Sequence, residues 1–326
     1  MADRRPAGIE VARLAGVSQK TVSRVVNGEP NVSSEVRDRV LRVAEELGYR
    51  PNKAARALLT GRHQRLGVVW TGANLHGPTQ TLVTVELAAR ARGYSVSVTS
   101  AGPSGDLSAA VDSLLAQGVD GILVDEPVDD HPLLASPPPL PVLTLGHDGD
   151  VDGSDWIAAV AAAVQHLLDL GHRTVHHVGG PVEWWTARDR TEGWRRALQH
   201  AGAVVPEPLT GDWSAASGHR AGRRLLTDPS VTAVFCANDE MALGVVRAWT
   251  EAGRRVPQDL SVVGVDDIPV AEFVNPPLTT LRQEFQLTAD RAVSTLIDRI
   301  EGRAAAGDRL RAVPSLVVRA STAPPP

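Results

Sequence analysis

One cysteine, two methionines and two lysines occur in 326 residues, and aromatic side chains make up only 4%. A single thiol excludes an internal disulfide and fits a reducing compartment. Cys236 lies in the apolar run 233–237 and reads as a buried strand residue, not a nucleophile. There is no apolar run of about 18 residues and no signal-peptide core, so no segment is expected to span or cross a membrane. The P-loop, Gly-x-Ser-x-Gly and His-Glu-x-x-His patterns are all missing, which removes three common catalytic signatures. What is present is ordinary for a soluble chain: 43% hydrophobic and 22% charged residues, in a length sufficient for a small module and two core-forming lobes.

Charge is unevenly distributed. The chain totals −5, but residues 1–62 hold 12 of the 33 Lys+Arg and 7 of the 38 Asp+Glu, leaving +5 there and −10 on the remainder. Both lysines, Lys20 and Lys53, fall in this basic segment. A basic N-terminal module on an acidic body is the distribution expected when one part neutralises phosphates.

Within that module, residues 19–27 read as a helix: Ser18 is a good N-cap, Val17 and Val22 occupy the positions of a hydrophobic staple, and Gly28 follows as a stop. Val22, Val25 and Val26 share the inward face, while Gln19, Lys20, Ser23, Arg24 and Asn27 share the outward one. A preceding helix near 10–15 carries Val11, Ala12 and Ala15, small enough for close approach, and Gly16 permits the sharp turn between the two. Such a pair makes a helix-turn-helix, whose second helix enters the major groove of DNA. A third helix begins after Ser33, carries Glu35 and Asp38 early and Val36, Val40, Val43 and Leu47 along one stripe, and stops at Gly48. On the local pattern alone, a solvated helical hairpin remains the alternative.

The segments Val11-Ala12-Arg13-Leu14-Ala15-Gly16-Val17-Ser18, Thr21-Val22-Ser23-Arg24-Val25-Val26-Asn27-Gly28, Val32-Ser33 and Leu47-Gly48-Tyr49-Arg50-Pro51-Asn52 resemble the DNA-binding headpiece of the lactose-repressor (LacI/GalR) family, and the similarity runs nearly to the C-terminus. It is specific to the lactose-repressor branch at Gly211-Asp212-Trp213-Ser214-Ala215. One departure is Ala7-Gly8, where the family has a Thr cap and an apolar residue, so helix 1 is expected to start weakly capped. Double-stranded operator DNA is the expected partner, with Gln19, Lys20 and Arg24 on base edges and Ser18, Thr21, Ser23 and Asn27 mainly on phosphates.

After Pro51, Asn52 can cap an Ala-rich segment, 53–59, ended by Thr60-Gly61. About two turns of helix are marginal in water, so this segment is expected to order only on packing; a simple linker is the alternative. By the family resemblance it is a hinge helix that meets the minor groove and its partner's copy, with Leu58 wedging between base steps, Ala55 and Ala57 small enough for close approach, and Asn52, Ala55 and Leu58 as the expected DNA contacts.

From Leu66 the pattern changes to short apolar runs alternating with helical stretches. Strands are expected at 66–70, 95–99, 121–124, 142–145, 174–178, 233–237 and 261–265, and helices at 82–92, 157–170, 191–201, 219–226 and 240–252. This alternation implies parallel sheets covered on both faces. The predicted fold class is α/β: an all-α helix-turn-helix headpiece (1–50), a hinge (51–63), and a periplasmic-binding-protein-like core (64–326) of two doubly wound parallel-sheet lobes. The N-lobe is expected at 64–154 with 283–311, and the C-lobe at 155–282 with 312–326.

Ligands of such folds sit at strand ends, which here carry Thr71, Asp125, Asn238-Asp239 and Asp266-Asp267, with Arg188 and Arg190 opening a helix and Trp213 after Gly211-Asp212. Asp, Asn and Arg suit sugar hydroxyls and an indole suits a sugar's C–H face. Each has a plain alternative as a helix cap or core residue. The resemblance implies that Arg190, Asn238 and Asp266 bind effector hydroxyls and that Trp213 stacks on the sugar. It further implies that Leu75, Pro78 and Phe285 form an apolar wall; Gln283 falls in a matching segment, and Thr71 and Asp125 complete the set by their positions at strand ends. Ala101, Asp125 and Gly146-His147-Asp148 depart from the branch, so the sugar is expected to differ.

The resulting expectation is a cytoplasmic, nucleoid-associated homodimeric repressor released from a palindromic operator by a sugar, with a galactoside one option. A corepressor-dependent regulator is the alternative; a sugar-binding protein or glycosidase without DNA function ranks lower. Against an enzyme, the adjacent carboxylates of Asp266-Asp267 and Asp129-Asp130 point apart and no separated acid/base pair is evident. No catalytic residue, metal or cofactor is expected. His172, His176 and His177 lack ligand spacing for zinc and are expected at the surface or at strand ends. Residues 313–326 carry no leucine heptads, which favours a dimer over a tetramer.

Overall fold

The computed structural model describes residues 7–26, 31–49, 61–70, 75–100, 107–125, 138–145, 153–303 and 313–326. Two compact units result, Met1–His63 and Gln64–Pro326.

In the first unit, helices α1 (Gly8–Ala15), α2 (Gln19–Val26) and α3 (Ser34–Glu46) close a small core of Val11, Ala12, Ala15, Val22, Val25, Val40 and Ala44. Ala7 supplies no side-chain cap to α1, as its residue type dictates. The Ser18 hydroxyl accepts the Thr21 N–H at 3.1 Å, and that of Ser33 accepts the Val36 N–H at 3.4 Å, so both expected caps form. Gly16 turns the chain at φ +64°, and the Arg39 Nε donates to the Ala15 carbonyl at 2.9 Å, tying α3 to the end of α1. Asn27, Asn52, Ala55 and Leu58 lie outside the described residues.

The second unit contains two sheets. The first has β1 (Arg65–Trp70), β2 (Ser95–Ser100), β3 (Gly121–Asp125) and β4 (Val142–Thr144) in the order β2-β1-β3-β4, all parallel. Side-chain alternation along β1 serves both faces. Leu66 and Val68 pack with Val85 and Ala88 of α4 (His76–Ala91) and with Val293 and Leu296 of α10 (Phe285–Glu301), while Val69 packs with Val111 and Leu114 of α5 (Leu107–Ala116).

The second sheet has β5 (His176–Gly179), β6 (Leu209–Thr210), β7 (Ala233–Cys236), β8 (Ser261–Asp266), β9 (Thr279–Arg282) and β10 (Ser315–Val317) in the order β10-β9-β8-β7-β5-β6. One face is covered by α6 (Gly153–Asp169) and α7 (Trp185–His200), the other by α8 (Ala215–Leu225) and α9 (Asp239–Glu251). The expectation of wholly parallel sheets needs one correction: β10 runs antiparallel to β9, because α10 crosses to the first sheet and the chain then returns along the edge of the second. Both sheets reverse their winding, at β1/β3 and at β5/β7, and at such points the strand ends leave a crevice.

The histidines also require correction. His172 and His177 are buried, at 4% and 1% exposure, not at the surface. His177 stacks between Trp194 and Phe235, with Nδ1 against the Phe235 carbonyl at 3.0 Å and Nε2 against Thr191 at 3.2 Å. His172 meets Thr232, Ser261 and the Ala323 carbonyl. Cys236 is buried in β7 and burial pushes its thiol upward, so it is inert as a nucleophile.

Candidate functional site

The outward side of α2 is polar in three dimensions as it is in sequence: Gln19, Lys20, Ser23 and Arg24 are exposed and Thr21 is half-buried, opposite Val22 and Val25. Ser18 spends its hydroxyl on the cap and on Thr21 Oγ1 at 2.9 Å, leaving the longer side chains to reach outward.

A cavity of about 150 Å³ in the second unit brings together Leu75, Pro78, Asp125, Arg190, Trp213, Asn238, Asp266, Gln283 and Phe285. A cavity of about this volume accommodates a single six-membered ring. Nine of the ten expected core residues therefore line one space; the tenth, Thr71, lies outside the described residues. Asp125 ends β3, at the winding reversal of the first sheet, and Asp266 ends β8, one strand beyond the reversal of the second. Arg188, by contrast, turns back to the carbonyls of Val182 and Glu183 and does not line the cavity.

Arg190 is the centre of the polar side. Its side chain is buried, with Nη1 donating to the Ala237 carbonyl and Nη2 3.9 Å from Asp266 Oδ1. The guanidinium lies 4.8 Å from the ring centre of Trp156 and 5.5 Å from that of Trp213, a cation–π sandwich. Gln283 Nε2 donates to Asp266 Oδ1. Burial pushes Asp266 up to about 7; Arg190 and Gln283 pull it down and Glu240 pushes it further up. Asp267 diverges from its neighbour, with Arg282 and Arg319 each 2.7 Å from it.

The start of α9 is built by close packing. A Cβ on Gly218 would lie 2.1 Å from the Met241 carbonyl and one on Gly244 2.0 Å from that of Ala215, so only glycine lets α8 and α9 approach this far. That approach brings Asn238 to Trp213. Asn238 Oδ1 caps α9 by accepting the Met241 N–H at 2.9 Å, and its Nδ2 donates to the Trp213 carbonyl and to Glu240, both at 2.9 Å. Behind it Asp239 is fully buried and accepts from Thr280 Oγ1 at 2.6 Å and the Ile268 N–H at 2.9 Å; burial and nearby Asp266 push it well above the usual carboxylate range.

The backbone is strained at this site. Trp213, Asp266 and Asp267 have φ of 69°, 116° and 55°, a region side chains of this size avoid. The indole Nε1 of Trp213 and the Nε of Arg190 are buried without a protein hydrogen-bond partner. Buried donors of this kind are costly unless something accepts from them.

The sequence reading missed Trp156, Trp184 and Trp185, which also line the cavity. A usable signal existed: the chain has seven Trp against three Phe and two Tyr, and four of the seven face this one space. His76 was missed as well; it meets Phe285 edge-on at 5.9 Å, and burial lowers its imidazole. Among the described residues no cluster of three or more His, Cys, Asp or Glu is placed to hold a metal, and no helix is long and apolar enough to cross a membrane.

Similarity to known proteins follows the same division. Residues 9–52 match the family model for bacterial regulatory proteins of the lacI family, and residues 164–322 match that for a periplasmic binding protein-like domain. The lactose operon repressor of Escherichia coli (strain K12) is 37% identical over 330 residues, covering 97% of this chain and 90% of its own length. The HTH-type transcriptional regulator CelR of Thermobifida fusca is 37% identical over 336 residues, covering 98% of each. The structure of the Lac repressor bound to ONPG in the repressed state superposes with a TM-score of 0.84 at 36% identity, covering 98% of this chain and 100% of that one. With such identity end to end, the chain belongs to the LacI family: it is a DNA-binding transcriptional regulator and not an enzyme.

Proposed function

We propose that this regulator is a cytoplasmic, homodimeric repressor that reads a palindromic operator through α2 and is released from it by a small sugar held in the tryptophan-walled cavity. The observation that carries the sugar reading is the convergence of Arg190, Asn238, Asp266 and Gln283 on a space faced by Trp213. Bidentate polar groups match vicinal hydroxyls, and an indole matches the C–H face of a pyranose. Solved relatives support it: one is a CelR–cellobiose complex, similar with a TM-score of 0.71, and another holds ONPG.

On the DNA side, Gln19, Lys20 and Arg24 contact base edges, while Ser18, Thr21, Ser23 and Asn27 position the helix on phosphates. Asn52, Ala55 and Leu58 of the connecting segment 51–63 add minor-groove contacts. The dimer is supported by apolar side chains facing outward: Val83 and Leu87 one turn apart on α4, and Phe273, which is 82% exposed beside Val270.

Release by sugar requires that the two ligands oppose each other. The coupling is typically about 1 to 3 kcal/mol and reciprocal, so operator DNA weakens sugar binding by the factor with which sugar weakens operator binding. Titrating lactose, galactose and cellobiose into the protein, alone and saturated with operator, tests this. Equal affinities in both titrations overturn the coupling, and tighter binding with DNA makes the ligand a corepressor.

A further inference from the structure

Asp239 carries its carboxyl group into the core. It is the first residue of α9, yet the cap of that helix is Asn238, whose Oδ1 accepts the Met241 N–H, so the Asp239 side chain is free to turn away from the helix. Asp239 is fully buried, and the groups that donate to it, the Thr280 hydroxyl of β9 and the Ile268 N–H just past β8, are both neutral. A carboxyl group buried on neutral partners costs stability whether it stays charged or takes up a proton, so its place points to another role. Room is made for it as well: a Cβ on Gly264 in β8 would lie 2.1 Å from Asp239 Oδ1.

What it holds is the turn that carries Asp266. The Ile268 N–H donates to Asp239 Oδ2 at 2.9 Å, and the Asp267 N–H donates at 3.3 Å to Thr280 Oγ1, which in turn donates to Asp239 Oδ1 at 2.6 Å. Two consecutive N–H groups thus end, directly or through one hydroxyl, on the same carboxyl group. They follow Asp266 at φ 116° and Asp267 at φ 55°, a region that side chains of this size leave unless something holds them there. On the cavity side, the Asp266 carboxylate accepts from Gln283 Nε2 and lies 3.9 Å from Arg190 Nη2, contacts that depend on the backbone at 266 staying where the turn puts it. A second anchor exists in the Asp267 carboxylate, paired at 2.7 Å with both Arg282 and Arg319. That anchor holds a side chain and leaves the two N–H groups to Asp239 and Thr280.

We propose that Asp239 is a positioning residue for the effector site: directly and through Thr280 it fixes the turn 266–268 from behind, so that Asp266 is presented to the ligand beside Arg190 and Gln283. This rests on the reading of Asp266 as an effector contact. Adjacent in sequence, Asn238 and Asp239 divide the work, the first lining the cavity and the second setting another of its walls. A ligand bound by groups already held in place loses less of its binding energy to ordering them.

Hydrogen exchange of the full-length protein, read by mass spectrometry on peptides spanning 264–271, tests it together with calorimetric titration of lactose, galactose and cellobiose. Thr280→Val keeps the branched shape and removes the hydroxyl. Exchange at 267–268 is expected to speed up at least tenfold and sugar affinity to fall at least tenfold, while operator affinity without sugar stays within twofold. Thr280→Ser returns the hydroxyl and is expected to restore both. Asp239→Asn, whose amide can accept only one of the two bonds, shifts both readouts in the same direction; should that variant fail to fold, the Thr280 pair decides. Unchanged exchange in Thr280→Val shows that the Asp267 ion pairs hold the turn by themselves and overturns the proposal. Faster exchange with unchanged sugar affinity overturns it too, because the turn then does not set Asp266 for the ligand. If none of the three sugars binds the wild type, the sugar reading fails, and the exchange comparison alone decides whether Asp239 holds the turn.

Discussion

A Cβ placed on Gly180 would stand 2.3 Å from Cζ2 of Trp213, so the indole occupies the space that any other residue at 180 would need. Gly180 follows β5 directly, and Trp213 lies at φ 69° just ahead of α8, so the contact fixes a strained tryptophan at the cavity wall. Gly180→Ala forces the indole to shift and costs about 1 to 3 kcal/mol of stability, the usual range for overpacking. Sugar binding is expected to weaken at least tenfold, read by calorimetry, while operator affinity without sugar stays within twofold. Unchanged sugar binding would remove Trp213 from the site.

The outward face of α2 makes a separate prediction. Arg24→Ala is expected to cost about 1 to 3 kcal/mol in operator affinity and to relax preference at one base pair, as loss of a base contact does. Selection of sites from a random DNA pool by the wild type and by the triple Gln19→Ala, Lys20→Ala, Arg24→Ala variant checks it: an identical consensus from both refutes the assignment of base readout to these three side chains.

Ser33 caps α3 at its N-terminus. Its hydroxyl accepts from Val36 at 3.4 Å, so Ser33→Ala leaves that N–H without its cap and destabilises the first unit by about 1 kcal/mol. Faster hydrogen exchange in 34–46, with exchange in the second unit unchanged, is the expected readout, and Ser33→Asp restores protection.

Two buried groups give stability opposite dependences on pH. Asp266 is raised from 3.8 to about 7, chiefly by burial, with Arg190, Glu240 and Gln283 as the other influences. The folded state then holds a proton the unfolded state has lost, and stability falls as pH rises from about 4 through about 7. His177 is lowered from 6.5 to about 4 by burial, with Arg190 and Arg195 adding to this and the Phe235 carbonyl opposing it. There the unfolded state binds the extra proton, and stability falls as pH drops from 6.5 toward 4. Between about 4 and 6.5 the two slopes oppose and largely cancel, so the melting temperature is expected to be nearly flat from about pH 4.5 to 6.5 and to fall toward 7. Asp266→Asn is expected to expose the loss of stability toward acid and His177→Gln the loss toward neutral pH; a variant whose profile stays flat refutes the role of the group left in place.

Much of the headpiece was legible because its signals are local. Ser18 and Ser33 cap residues three positions ahead of them, and Val11, Val22, Val25 and Val40 face inward by helical periodicity alone. The apolar runs at β1, β3, β7 and β8 were equally plain, since strands covered on both faces are hydrophobic throughout. Elements without such a run were hidden. Expected to begin near 82, α4 starts at His76, because Gly77 and Pro78 read as breakers yet fit a first turn where the N–H is unpaired anyway. No strand was expected at β9, whose Thr279 and Thr280 are fully buried only because Ser321 and Asp239 pair with them from 41 or 42 residues away.

By itself the sequence determined the headpiece helices and the apolar strands, where the positive charge sits, and which strand ends carry polar groups. Those properties depend on neighbours a few residues apart. Only the tertiary structure decided that Asp125, Arg190, Trp213, Asn238, Asp266 and Phe285 share one cavity, that Trp156 and Trp184 join them, and that His177 is a neutral core residue. The physical reason is that winding reversal collects strand ends distant along the chain, and burial then sets the charge of each group by what it meets there.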